Sequence, residues 1–329
     1  MKIDVHAHLA GVGTGGSGCW LSPRTRSRLV FRALRRLNGV TEKQLNESFD
    51  QDWAARLASA VRASELDRAV ALGFDGVYDA RGRLVEADSQ LIVPPSWVFA
   101  VCRLHPELLP GPSLNPFRGD ALERLEECGE EGAVLIKWLP SAQAIDPASA
   151  RLRPFYRRVA ELGIPLLIHS GGGEMTFREV APELGDVERL REPLEQGVTV
   201  ICAHSGVPVW FRRESSQLPL VRELLVRYPH FWVDNSGMAN PSRFPYLPRL
   251  ARDPLFRDRT LSGSDFPVPC TPLLYARELG AGRALRLQRE PGPLQREILL
   301  KRELGYPDET LTRAGSVLSS LNRWTAVPE

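Results

Sequence analysis

Two histidines flank a single alanine in the opening stretch MKIDVHAHLAG. Residues two apart on an extended strand point the same way, so His6 and His8 can bring two imidazoles to one point. The chain has six histidines, and four of them (His6, His8, His169, His204) stand at the ends of short apolar runs. Lys137 and Asp265 occupy the same kind of position. A third imidazole and a carboxylate from other strands would complete most of the coordination of a divalent ion. Nitrogen and oxygen donors without a thiolate make zinc the expected ion, with manganese, iron, cobalt and nickel also compatible. An ion held this way lowers the pKa of bound water and gives a nucleophile near neutral pH.

These residues need elements that bring them together. The apolar runs are KIDVHAH, RAVALGF (68–74), WVFAVCRL (97–104), AVLIKWL (133–139), IPLLIHS (164–170), VTVICAHS (198–205), HFWVDNS (230–236) and RTLSGSD (259–265), which makes eight expected strands. On the first, Lys2, Asp4, His6 and His8 are expected on one face and Ile3, Val5 and Ala7 on the other. Helical periodicity lies between most of them, as in WAARLASAVRASEL (53–66), PFYRRVAELG (154–163) and LPLVRELLVRYP (218–229). Strand–helix alternation predicts a parallel sheet, and eight such units predict a closed α/β barrel of the (β/α)8 TIM type. Residues 1–329 read as one domain, with two or three added helices from about 272. Every candidate residue then ends a strand at the C-terminal face, where barrel chemistry sits. The long connections 9–50 and 75–96 are expected to build the rim.

The ordered set resembles the amidohydrolase superfamily, specifically the amidohydrolase-2 group that includes aminocarboxymuconate-semialdehyde decarboxylase. The resemblance rests on DVHAH (4–8), LLIHSG (166–171), ICAHSG (201–206) and SGSDFP (262–267). It implies that His6, His8, His169 and Asp265 bind the metal, and that His204 orients or protonates the substrate. In the two-metal branch of the superfamily a strand-four lysine is carboxylated and bridges two ions, with the strand-five and strand-six histidines on the second. Lys137 could play that part, which would make His204 a ligand as well. Otherwise it stays a free ammonium beside one ion. An ammonium beside a dication is unfavourable unless an anion lies between them, whereas carboxylation makes the chain an anionic ligand. One ion is the expectation on the closer resemblance, with two left open.

The leading reading is a metal-dependent hydrolase that turns an activated water against a small-molecule amide, lactone or ester, with Asp265 as general base and His204 at the developing oxyanion. The alternative is a decarboxylase of a small organic acid, which would use the same ligands. A TatD-like nuclease fits less well, because its strand-four position usually carries a glutamate and a net charge of +2 offers no nucleic-acid track. A non-catalytic metal barrel would need neither an open position nor a base.

The remaining features are given plainer roles. RTRSRLVFRALRR (24–36) carries six arginines, and reads as an amphipathic lid helix; one arginine gripping a substrate carboxylate is the sharper reading and motivates an anionic substrate. GVGTGGSG (11–18) reads as a mobile loop. His105 is expected at the rim and His230 at the opposite end of the barrel. Cys202 is expected in the barrel interior, and Trp20 and Trp138 near the mouth, as pocket walls or core. Five dispersed cysteines without a Cys-x-x-Cys pair suit a reducing cytoplasm. No signal peptide or membrane-length apolar run is read, so no membrane association is expected, and a homo-oligomer is compatible.

Overall fold

The alternating pattern of the first residues makes β1 (Ile3–His8), and the later apolar runs give β2 (Arg68–Leu72), β3 (Leu108–Gly111), β4 (Ile136–Trp138), β5 (Leu166–His169), β6 (Val200–Ala203), β7 (Phe231–Asp234) and β8 (Thr260–Leu261). The structure, a computed structural model, describes residues 1–212 and 214–325. β1 pairs with β2 and β2 with β3, and β4 to β8 pair in sequence order, all in parallel. Two joints close the ring. Val134 and Lys137 donate to the carbonyls of Pro110 and Pro112, both at 2.9 Å, linking β3 to β4. Val5 and His8 donate to Ser262 and Phe266, both at 2.8 Å, linking β1 to β8. The fold is an α/β (β/α)8 TIM barrel.

Seven of the eight expected strands lie where the apolar runs predict. The third does not. Residues 97–104 belong to a helix, Pro95–Leu104, and the strand is the short LLPG that follows it. Pro94 and Pro95 explain the outcome, because a proline at the first helical position supplies a fixed φ and lacks an N–H that would go unsatisfied there. His105 therefore precedes β3, at the end of the barrel opposite the histidine cluster, and is not a rim residue. His230 also lies at that end, its Nε2 3.0 Å from the Leu194 carbonyl.

Two apolar layers hold the sheet. Inside the barrel, Ile3, Val5, Val70, Leu109, Leu167 and Ile201 pack together and are capped by Ala314, Val317 and Leu318 from the tail. Outside, Ile168, Val200 and Cys202 pack on Tyr156 and Val159 of the helix Arg153–Glu161 and on Val221 and Leu224 of the helix Leu218–Arg227. Cys202 thus faces the helical layer rather than the barrel interior. Trp138 is fully buried beside Phe155 and Tyr156, and its Nε1 donates to the Leu114 carbonyl at 2.7 Å. It is core.

The long connections 9–50 and 75–96 meet above the C-terminal face. Trp20–Leu21 and Leu91–Ile92 form a two-stranded antiparallel ribbon between them. A helix, Leu29–Leu37, lies over the barrel mouth as the lid, and Phe49–Arg62 returns the chain to β2. The glycine-rich stretch 11–18 is wrapped on the fully buried Asp50, whose carboxylate accepts from Val12 N (2.8 Å), Gly13 N (3.1 Å), Thr14 Oγ1 (2.9 Å) and Ser17 Oγ (2.5 Å). This stretch is an anchored turn, not the mobile loop its composition suggests. Among the described residues, no helix is long and apolar enough to cross a membrane.

Candidate metal centre and active-site cavity

Strict alternation along β1 would put Val5 and His6 on opposite faces. A bulge prevents this. Against β2 the register slips between Asp4 and Ala7, so that Asp4 opposes Ala69 and Ala7 opposes Ala71. Such an extra residue re-aims the side chains that follow it. Ile3 and Val5 fill the lower barrel, and His6 and His8 still point inward above them. Asp4 sits on the bulge itself and does not share the histidine face. Its Oδ1 accepts from His6 N at 2.9 Å and Ser264 N at 3.0 Å, fastening the bulge to the turn after β8.

That turn carries Asp265 in the left-handed region, at φ 64°. His204 and Ser205, after β6, are also left-handed, at φ 53° and 51°. Backbone held in this region by non-glycine residues costs energy and clusters at functional sites. Gly237, at φ 59°, faces both: a Cβ there would fall 2.5 Å from Asp265 Oδ2 and 3.0 Å from His204 Nδ1.

The strand ends bring the expected residues together. His6 Nε2 lies 3.2 Å from His8 Nε2, 3.1 Å from Lys137 Nζ and 3.5 Å from Asp265 Oδ1. His8 Nε2 lies 3.3 Å from the same carboxylate oxygen. His6, His8 and Asp265 therefore present three donor atoms to one point. His169 is not part of this group. Its Nδ1 faces His204 Nε2 at 3.2 Å, and Glu174 Oε2 lies 3.8 Å from that Nδ1. His204 Nδ1 donates to the Ser236 carbonyl at 2.9 Å, which leaves Nε2 as an acceptor. Lys137 lies within the cluster and is 1% exposed.

Asp234 was not among the expected residues. It ends β7, and its Oδ2 accepts from His6 Nδ1 at 2.8 Å. This bond fixes the tautomer that turns the Nε2 lone pair toward His8 and Asp265. Asp234 Oδ1 takes His204 N (2.7 Å), Ser236 N (3.0 Å) and Ser236 Oγ (2.5 Å). His6, His204 and Asp234 also lie close enough to surround an ion, but these four bonds already occupy the carboxylate. The signal was in the sequence: WVD ends a strand with a polar residue just as LLIH does. Glu174 and Arg243 lie on connecting loops and had no such signal.

Burial sets the protonation. Desolvation holds His6 and His204 well below the usual imidazole range and takes His169 down to about 3, with Arg243 and Lys137 adding to the effect on His169. All three rings are neutral at pH 7, the form that binds a metal. Burial also brings Lys137 down to about 8, with Asp234 and Asp265 opposing the shift. Neutral imidazoles and a carboxylate oxygen converging on one point fit a zinc-like ion.

The cluster is the floor of a cavity of about 550 Å³. His8, His169, His204, Asp265, Glu174 and Arg243 line its deep end. The walls and roof are mostly apolar. Of the arginines at 24–36, only Arg35 reaches the lining, and its Nη1 is held by Glu42 at 2.9 Å. Arg24 and Arg28 line a separate crevice with Trp20, and Trp53 is the tryptophan of the cavity wall. The buried Arg243 sends Nε to the Val207 carbonyl (3.3 Å) and Nη2 to those of Gly172 (3.3 Å) and Gly173 (3.1 Å). Its Nη1 takes no part in these bonds.

With the barrel and the strand-end cluster in view, the class is that of barrel enzymes with a histidine- and aspartate-lined mouth. Residues 3–301 match the amidohydrolase family, in its amidohydrolase-2 group, and the chain belongs to that family. Solved structures with the same fold include an uncharacterized TIM-barrel protein from Bordetella bronchiseptica (16% identity, 95% of this chain and 99% of that one, TM-score 0.59). Another is a putative 2-pyrone-4,6-dicarboxylic acid hydrolase from Pseudomonas putida (17%, 98% and 96%, TM-score 0.53). A third is 5-carboxyvanillate decarboxylase from Sphingomonas paucimobilis (11%, 94% and 98%, TM-score 0.52). No curated protein matches the chain. The family is one of enzymes, and both hydrolases and decarboxylases stand among these neighbours.

Proposed function

We propose that the protein is a metal-dependent hydrolase of a small-molecule amide, lactone or ester. The observation that carries this reading is the convergence of His6 Nε2, His8 Nε2 and Asp265 Oδ1 at the floor of the cavity. One divalent ion, zinc first, would be held by these three, with His169 as the further donor that the family resemblance implies. When bound, the ion supplies a Lewis acid for the carbonyl oxygen and lowers the pKa of water. One ion is favoured over two on the closer family resemblance, and because the Asp234 carboxylate is already occupied by hydrogen bonds.

The chain's own groups do the rest. Asp265 accepts the proton of the attacking water, since its carboxylate borders both the imidazoles and the open cavity. His204, fixed by Ser236, turns the Nε2 lone pair inward and orients the substrate beside His169. Lys137 holds an anionic oxygen at the centre. Arg243 holds an acidic group of the substrate through Nη1. The five cysteines are free and buried, which supports a reducing, cytoplasmic setting.

A decarboxylase is the second reading, favoured by Arg243 beside His169 and Asp265, where a substrate carboxylate would fit. One experiment separates them. Elemental analysis of wild type and of a His6→Ala/His8→Ala variant should find about one equivalent of metal falling to near zero. A screen of esters, lactones, amides and aromatic acids should then give a new carboxylate product, by chromatography, without carbon dioxide. Asp265→Asn should lower the rate of its formation ~10²–10⁴-fold while retaining more metal than the double variant. Equal metal in wild type and double variant would overturn the centre, and carbon dioxide release would replace the hydrolase by the lyase.

A further inference from the structure

The lid helix Leu29–Leu37 contains no fully buried residue. Yet Val30, Phe31 and Leu34 line the cavity beneath it, and Ala33 and Leu37 border the same cavity while remaining exposed to solvent. These positions recur at three- and four-residue spacing, the pattern of a helix face made to pack on something apolar. The opposite face carries Arg32 and Arg36, both exposed. An amphipathic helix normally gains its stability by burying its apolar stripe against a core. Here the stripe spans a cavity instead.

The rest of the wall has the same character. Phe49, Trp53, Phe74, Phe177 and Phe211 close it from four different segments of the chain. Phe74 and Phe177 pack as tilted rings with centroids 4.6 Å apart, joining the β2 connection to the β5 connection. Polar groups are confined chiefly to the floor and to the ends of the lid. The volume also bears on the ligand. A dry cavity of ~150 Å³ lined by Leu, Ile and Phe is enough to bind benzene, and this one holds about 550 Å³.

We infer that the substrate carries an apolar body well beyond a single ring, and that the lid helix closes on that body and selects for it. The polar end of the molecule enters first, toward His8, Asp265 and Arg243. The apolar body fills the space under Phe31 and Leu34 and completes the burial of their helix. A compact dicarboxylic acid would leave this volume empty and the stripe uncovered. The inference rests on the hydrolase reading only for the orientation of the ligand, since the apolar chamber is defined by other residues.

The test uses the full-length protein and the fluorescent apolar probe N-phenyl-1-naphthylamine, with metal content measured on the same preparation. One probe should bind per chain, with or without chelator. Naphthoate or dodecanoate should displace it at concentrations at least tenfold below those of benzoate or a small dicarboxylate. Whichever of the two displaces better tells a fused ring from an acyl chain. Phe31→Asp should weaken the probe at least tenfold, and Phe31→Leu should leave binding within about twofold. The inference is overturned if the probe does not bind, if the small dicarboxylate competes equally well, or if Phe31→Asp binds as wild type. Probe binding by a protein that takes up no metal would sink the hydrolase reading and leave the chamber standing. Metal uptake without probe binding would do the reverse.

Discussion

Asp234 shows how one carboxylate can govern a centre it does not enter. Its Oδ2 holds His6 Nδ1, and its Oδ1 holds the backbone of His204, so two of the site's imidazoles take their orientation from one side chain. Partners of this kind set both the tautomer and the basicity of a metal-binding histidine, and losing one typically costs 10–100-fold in metal affinity. Asp234→Asn should therefore bind zinc about 10–100-fold more weakly than wild type. Competition against a chromophoric chelator measures this directly. Unchanged affinity would mean that the His6 ring is held without the carboxylate, by packing and by Ser236 Oγ, 2.9 Å from its Nδ1. His8 is the internal control, because it lacks this carboxylate and is partly exposed.

At the scale of elements, the sequence was most legible where a strand end carried a lone polar residue. Lys137, His169 and Asp265 all stand at the mouth because β4, β5 and β8 lie where the apolar runs predict. The third strand was not legible. WVFAVCRL is apolar throughout, so its periodicity cannot separate strand from helix, and the two preceding prolines decide for the helix. The bulge in β1 was also hidden, because it depends on Asp4 meeting Ser264, a partner 260 residues away. The helix Pro293–Glu303 illustrates a similar long-range tie. Its neighbouring turns close the tail, and its Arg302 forks onto Glu65 at 2.8 and 2.9 Å, while Lys2 joins the same carboxylate at 2.5 Å. The Arg302 hydrogen bonds hold Glu65 down at about 2. The folded pKa lies below the unfolded one, so this contribution is present above about pH 4.5 and fades as the pH falls toward 2. The trio is partly open to solvent, which limits its value to about 1 kcal/mol. Glu65→Gln should lower Tm by roughly 1–2 °C at pH 7, and the gap to wild type should narrow below pH 4. A gap that persists unchanged to pH 3 would assign the effect to packing rather than charge.

The molecule as a whole is a ring whose first and last strands must meet. That seam is made by few backbone bonds: Val5 to Ser262, Asp265 to the His6 carbonyl, and His8 to Phe266. The proposed ion would add to it, because His6 and His8 come from β1 and Asp265 from the turn after β8. A ligand shared between the two ends of the ring binds only the closed barrel, so its binding energy becomes folding energy. At free ion about 100 times Kd, the linkage is worth about 2.7 kcal/mol. With an unfolding entropy near 2 cal/mol/K per residue, that becomes about 4 °C for a chain of 329 residues. Chelation should therefore lower the Tm of wild type by about this amount, and restored zinc should reverse it. The His6→Ala/His8→Ala variant should melt at the same temperature with or without chelator. Scanning calorimetry of the two proteins checks both halves. A wild type whose Tm ignores chelator, despite measured metal, would place the ion away from the seam and off these three side chains.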